Sequence, residues 1–589
     1  MGNRRTERIV LWTAFCAAGA AMVLIVLSIL RYAVSIPMLD DWELIPIVAK
    51  AHAGGFTLTD LFAQQQEART VVLKLIFIAL SFAKHWDARI VMMLSVFICC
   101  LTAAGYYGLL LRSNLVPTWR AIAFLLGALL IFSPAQHELW LLASGFSSFV
   151  PALCIVWGSW VATTKWPAAR RFWICLCLAF LATFSLANGL LAWVFTFPVA
   201  LVVDRDLAWK RWLGFWLVSM ATCAAIYFWH FRAQPDLPPF APAKSLWDYW
   251  CYVTAFLGGA LGRSGTEYPL TTSVGVGSLA LLGYIAILIR VAFRCRDEAY
   301  CWRRMPWLAL GGYSVASAIL AALGRIDWGI AQALQSRYVA FSLYLPTAMI
   351  GLTAICANEF SNRIHSRGRR LVVFAATAFL IASFVTLHAM CAIASWPIFP
   401  LRSAVARLGN SGMLFSQVLD TSKAIQAGNH PRPLVVRENG EALDRLQLLR
   451  TPLARTREIS KLRHAETAEG AADGWLDGLT SSGKTKLIAW GWAAISNRHR
   501  AADAVVLAYA NENGEWIAFA HSDLVFERPD VVKVLGTSRF SWSGWGATFD
   551  RVAVPKGAEI SAWAVDAKDA KLYRLKARER LFNFELASR

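Results

Sequence analysis

The stretch VVLKLIFIALSFA, Val71–Ala83, decides how the chain is threaded. It is apolar except for Lys74, and it is shorter than the roughly 20 residues that a straight bilayer crossing takes. Eleven further apolar runs surround it: 9–30, 90–112, 120–133, 145–163, 172–186, 189–203, 212–230, 271–293, 307–323, 338–357 and 371–393. If Val71–Ala83 does not span, the basic loops Arg112–Arg120, Lys165–Arg171, Asp204–Arg211, Arg290–Arg304 and Asn362–Arg370 fall on one side, with the N-terminus. If it spans, all five move together to the opposite side, against the rule that Lys and Arg gather in cytoplasmic loops. The stretch therefore reads as an interfacial or re-entrant helix. The expected fold is an α-helical polytopic membrane protein with about 11 transmembrane helices, its N-terminus cytoplasmic.

Composition agrees with that class. Of 589 residues, 57% are hydrophobic and only 16% are charged, too few charges to cover a soluble protein of this size. A membrane β-barrel would show short alternating segments instead of long runs. The net charge of +20 sits largely in short loops between apolar runs, which points to anionic lipid and not to nucleic acid. All twelve Cys lie at or before Cys391, none in a zinc-type pattern, so they read as small core residues. The first run follows MGNRRTER, is too long for a signal-peptide core and lacks a small-residue cleavage site, so it reads as an uncleaved first helix.

The threading collects polar segments on the outer face: 32–88, SPAQHELW (133–140), SLANG (185–189), WHFRAQPDLPPF (229–240) through Leu270, and GRIDWGIAQALQSRY (324–338). Residues 394–470 change to a polar, partly helical linker broken at QAGNHPRP. From 471 to 589 short alternating runs appear, with NENG as a hairpin turn, which predicts an all-β sandwich domain on the outer face.

The first outer loop opens with SIPMLDDWELIPIVAK, placing Asp40, Asp41 and Glu43 at the mouth of a helix. Carboxylates near a bilayer carry either a task or a partner. An Asp at the start of an interfacial helix caps backbone N–H groups and complements the helix dipole. A carboxylate there also suits a general base, and an adjacent pair suits a hard divalent ion such as Mg or Mn. The residues leave these readings open.

The DDW opening resembles the integral-membrane glycosyltransferases of the C superfamily, which use polyprenyl-phosphate sugars. Further segments follow in the family's order: QQEAR with Glu67 and Arg69, FSPAQHELWLLASGFSSF with His137 and Glu138, FSLANGLLAW with Asn188, and QALQSRYVAFS with Arg337 and Tyr338. Gln65 and Ala68 stand where related proteins carry two His. The likeness covers residues 9–393, so 1–393 is the expected transferase domain, with 32–88 its first periplasmic loop.

The resemblance implies catalytic roles for Asp40, Asp41, Glu67 and Glu138, with a divalent metal on Asp40 and Asp41. It implies donor-phosphate contacts from Arg337, Arg69, Arg325 and Tyr338, and supporting roles for Glu43, His137, Asn188 and Arg232. The implied reaction is an inverting transfer of a sugar from polyprenyl phosphate to a cell-envelope acceptor, O-antigen or another lipopolysaccharide glycan, on the periplasmic side of a bacterial inner membrane. The terminal domain resembles β-sandwiches attached to glycan-modifying proteins, through RPDV (528–531) and SGWGATF (543–549). Trp490, Trp492, Trp545 and Trp563 there either face a sugar or pack the core. Two other function classes compete: a transporter or flippase of a lipid-linked sugar, which would show internal repeats and ionisable groups at mid-membrane, and a non-catalytic glycan-binding scaffold.

Overall fold

The computed structural model describes residues 2–83, 86–197, 209–232, 245–363, 367–462 and 473–577. Among these, nine helices are long and apolar enough to cross a membrane: Glu7–Tyr32, Ala88–Arg112, Pro117–Trp140, Ala143–Ala162, Trp209–Phe228, Pro269–Phe293, Glu298–Trp328, Ser336–Phe360 and Leu371–Phe415. The chain is thus a multi-pass membrane protein by length and composition. The run 172–186 forms the 16-residue helix Ala168–Thr183. The run 189–203 opens as a 3-10 turn, Ala187–Leu191, and a short helix, Ala192–Phe195, and its end lies outside the described residues. Val71–Ser81 is an 11-residue helix, about 16 Å long and too short to span.

One expectation is corrected. The segment read as an outer loop through Leu270 contains the 17-residue helix Leu246–Gly262, buried from Thr254 to Gly262. Ser245 starts it by accepting the Asp248 N–H at 3.2 Å. Asp248 and the glycines break up the apolar run, which hid the helix from a hydropathy reading. The glycines are its packing surface. A Cβ on Gly258 would overlap the carbonyl oxygen of Ser273, and a Cβ on Gly277 would overlap that of Thr254. The backbones of Leu246–Gly262 and Pro269–Phe293 therefore touch through small residues four apart, the arrangement that lets helices associate where water provides no driving force.

Contacts divide the chain into two compact units, one of Met1–Arg31, Leu58–Leu75 and Ile90–Ile398, the other of Tyr32–Thr57, Ile76–Arg89 and Phe399–Arg589. In the first unit buried charge is matched locally. Arg304 donates to Glu359 at 2.7 Å and lies over the Tyr300 ring at 3.5 Å. Each contact offsets part of the cost of holding a guanidinium away from water.

Among the described residues the second unit holds ten strands: β1 Asp473–Ser482, β2 Lys486–Ile495, β3 Arg500–Ala501, β4 Ala504–Ala510, β5 Trp516–His521, β6 Leu524–Phe526, β7 Gly544–Asp550, β8 Ile560–Asp566, β9 Lys571–Arg574 and β10 Lys576–Ala577. One sheet has the order β10-β1-β2-β7-β6 with β3 on β2, and the other β5-β4-β8-β9. Alternating residues of both sheets, including Leu476, Leu487, Trp545 and Phe549 from one and Val505, Leu507, Ala562 and Tyr573 from the other, share one hydrophobic core. The helix Ile398–Phe415 docks on the β region through polar contacts, with Arg407 3.4 Å from Asp503 and Ser411 Oγ 2.8 Å from His521 Nε2.

Two outcomes test this packing. Gly258→Val should lower the apparent Tm of the detergent-solubilised protein, by about 1–3 kcal/mol of overpacking. Gly275→Ala, on the same hairpin but with open space at its Cβ position, should not; equal melting of the two variants would contradict the close approach. His521 is the second case. Burial pushes its imidazole down to about 4, and Nδ1 donates to the Ser522 carbonyl at 2.7 Å, which leaves Nε2 to accept from Ser411. An unfolded His titrates near 6.5, so between about 6.5 and 4 the unfolded chain binds a proton that the fold refuses. Stability should be intact above that window and fall with pH within it, by about 1.4 kcal/mol per pH unit. His521→Gln should flatten the slope in a pH series of melts.

Candidate functional site

The predicted residues divide between the two units. In the second unit, Leu39–Leu44 forms a 3-10 turn feeding the helix Ile45–His52. Asp41 is fully buried at its third position, and its Oδ2 accepts the Met38 N–H at 3.1 Å. That bond closes the turn, so the capping reading describes Asp41. Asp40 is half-buried on the same turn, and its charge acts on His430. Trp42, between them and Glu43, is fully buried, with its indole N–H bonded to Asn429 Oδ1. Asn429 also accepts the Leu39 N–H at 2.8 Å through its carbonyl, and Asn439 donates to the Trp42 carbonyl at 2.9 Å. Glu43 meets Arg432 at 3.3 Å. The DDWE turn is therefore clamped onto 429–439. Burial lowers the His430 pKa, helped by the Arg432 charge and opposed by Asp40.

None of Asn429, His430 and Arg432 was singled out from sequence. They sit in QAGNHPRP, where Pro and Gly signalled only a break. No local signal sets them apart, because the linker carries other Asn, Asp, Glu, His and aromatic residues.

In the first unit a second group forms at the ends of several apolar helices. Arg325, closing Glu298–Arg325, binds Glu67 at 2.6 Å and lies 4.9 Å from the Trp328 ring centroid. Arg337 is half-buried with its guanidinium 5.6 Å from the Tyr338 ring centroid. Both guanidinium charges act on the Tyr252 hydroxyl, as does Tyr338. Glu138 is tied in through its backbone N–H, 3.3 Å from Ser336 Oγ, and that hydroxyl donates to the Ala135 carbonyl at 2.7 Å. Arg263, directly after the Leu246–Gly262 helix, donates to the carbonyls of Leu334 and Ala135, each at 3.0 Å. It also faces His137 Nε2 at 3.3 Å. Arg263, Tyr252 and Ser336 were missed with the helix that positions the first two.

The remaining residues have mainly structural surroundings. Arg69 is buried and donates to the carbonyls of Phe62, Tyr227 and Trp229, which occupies the donors that a phosphate would use. Lys74 donates to the carbonyls of Asp60, Leu61 and Ala63. The two cations hold the turn 58–70 in place. Arg232 is exposed and exchanges two backbone bonds with the Gln64 amide. Asn188 is half-buried in a 3-10 turn, and beside it a Cβ on Gly189 would overlap the Ala182 carbonyl. Trp545 and Trp563 are 3% and 4% exposed and pack inside, whereas Trp490 is 42% exposed.

The Asp40–Asp41 pair fits a divalent ion poorly. Asp41 commits one oxygen to the Met38 N–H, and among the described residues no group of three His, Cys, Asp or Glu side chains is placed to hold a metal. Comparison of the chain with protein-family models, with curated proteins and with solved structures finds no match in any of the three.

The two aspartates should separate in a melt. Asp41→Ala should lose about 0.5–2 kcal/mol of stability, the usual cost of removing a cap. Asp40→Asn should change stability by less than about 0.5 kcal/mol. Identical melting of Asp41→Ala and wild type would remove the capping role.

Proposed function

We propose that the protein is a membrane glycosyltransferase that moves a sugar from a polyprenyl-phosphate donor to a cell-envelope glycan or lipid acceptor. The observation that carries the reading is Arg337. Its guanidinium is half-buried at a helix end, has the Tyr338 ring beside it, and meets no carboxylate among the described residues. Arg325, paired with Glu67, and Arg263 belong to the same unit, and Arg325 and Arg337 both act on the Tyr252 hydroxyl. A planar cation flanked by apolar helices matches a phosphate on a lipid tail.

The proposed roles are those that the C-superfamily resemblance implies, assigned by the surroundings that each residue has within its own unit. Asp41 fixes the DDWE turn, and Asp40, the half-buried member, takes the proton. The acceptor O–H attacks the anomeric carbon, its proton passes to Asp40, and the bond from that carbon to the phosphate oxygen breaks, with the electron pair leaving on the lipid phosphate. Arg337 stabilises the charge that grows on the phosphate, and Arg325, oriented by Glu67, supports it. A single displacement inverts the anomeric configuration. The C-superfamily likeness, a placement of the site on the periplasmic face of a bacterial inner membrane, about 11 spans, and a β-sandwich reading of the two sheets belong to the same proposal. So does the linear division into 1–393, 394–470 and 471–589.

The test uses the full-length protein in nanodiscs with polyprenyl-phosphate hexoses and a labelled-sugar readout. Asp40→Asn should lower kcat by about 10²–10⁴, and Arg337→Ala by about 10². Transfer at the wild-type rate in Asp40→Asn removes the base. Movement of the donor lipid between leaflets with no transfer to any acceptor replaces the enzyme by a flippase.

A further inference from the structure

The outer face of the larger sheet carries a second feature. Trp475 on β1 opposes Trp492 on β2, and two residues along β2 Trp490 opposes Gly478. Opposed residues share a face, so these three indoles point the same way, away from the common core. Across the sheet Trp490 pairs with Gly546 and Trp492 with Gly544 on β7. The glycines explain why the rings are uncovered. A Cβ on Gly478 would meet the Trp490 ring at 2.6 Å, so that indole lies across the strand where a side chain would stand. Trp492 is packed against the buried cluster of Ala494, Phe540 and Val531, the last from the helix Pro529–Leu535. Trp475 and Trp490 remain 37% and 42% exposed.

Between them stands a charged group. Asp477 lies at the register shift between Leu476 and Gly478, on the Trp475 face by alternation. Its carboxylate binds Arg528 at 2.8 Å, and Arg528 also binds Asp530 at 2.7 Å. Among the described residues Arg528 thus bridges two carboxylates. Hydroxyl groups suit this patch, because a carboxylate accepts and a guanidinium donates from neighbouring positions. Strand geometry puts Trp475 and Trp490 roughly 8 Å apart along the diagonal, the reach of about two sugar rings. A pyranose has an apolar C–H face for an indole and a rim of hydroxyls for the ions between.

We propose that this face binds a neutral carbohydrate chain, with Trp475 and Trp490 as stacking platforms and Arg528 and Asp530 as hydroxyl contacts. The proposal concerns binding alone and stands whether or not the membrane part transfers sugar. The full-length protein in amphipol, free of glycosidic detergent, is applied to an array of bacterial surface polysaccharides and defined oligosaccharides. At least one glycan should be retained, with Trp475→Ala and Trp490→Ala each weakening it about tenfold. Trp475→Phe and Trp490→Phe, which keep an aromatic ring, should retain most of the binding and guard against a folding defect. Retention of no glycan overturns the proposal, as does wild-type binding by the double alanine variant. A fall from dimer to monomer in the double variant, or loss of its binding to phosphatidylglycerol vesicles, with glycan binding unchanged, assigns the face to another occupant and also overturns it.

Discussion

A cation held among apolar helices keeps its charge only where each N–H finds an acceptor, and this requirement organises the first unit. Arg69 is matched by three carbonyls, Lys74 by three more, Arg304 by Glu359 and Tyr300, and Arg263 by two carbonyls and His137. Carbonyls that accept side-chain donors belong to turns and helix ends, where the backbone leaves them unused. Arg69, Lys74 and Arg263 therefore mark places where helices stop, and they fix the turns 58–70, 135–138 and 326–338, whereas Arg304 is matched within and beside its own helix. Against that background Arg337, which meets no carboxylate among the described residues, is the exception that gives the group a chemical direction.

The same logic separates the paired acids. Asp40 and Asp41 are chemically identical and adjacent, yet the 3-10 turn points one carboxylate back at its own backbone and leaves the other on its side. A turn of this size has room for one such return bond. Pairing therefore does not imply sharing: the fold turns one acid back onto its own backbone and sets the charge of the other against His430.

Much of the architecture was legible because its cause is local. The nine long helices are continuous apolar runs, and the strands alternate with period two, so both follow from composition in a short window. Val71–Ser81 was legible through loop charge, a property of the whole chain. The helix Leu246–Gly262 was not, because its stability lies in backbone contact at Gly258 and Gly277, and glycine in a single sequence reads as a break. The candidate site was legible only in part for a related reason. Asp40, Glu67, Glu138, Arg325 and Arg337 stand out as charges in apolar surroundings. Asn429, His430 and Arg432 act through contacts nearly four hundred residues from the turn that they hold, and no local pattern encodes such a pairing.

The close hairpin has a bearing on how the protein is made. Its two helices are joined by only six residues, 263–268. Closing so short a connection costs little chain entropy, and contact between backbones needs no later partner to order a side chain. The pair can associate as soon as both helices have left the ribosome, ahead of long-range contacts such as Arg325 with Glu67. Arg263, the first residue past the helix, sits at the end of that pair and joins it to the carbonyls of 135, made before it, and 334, made after it.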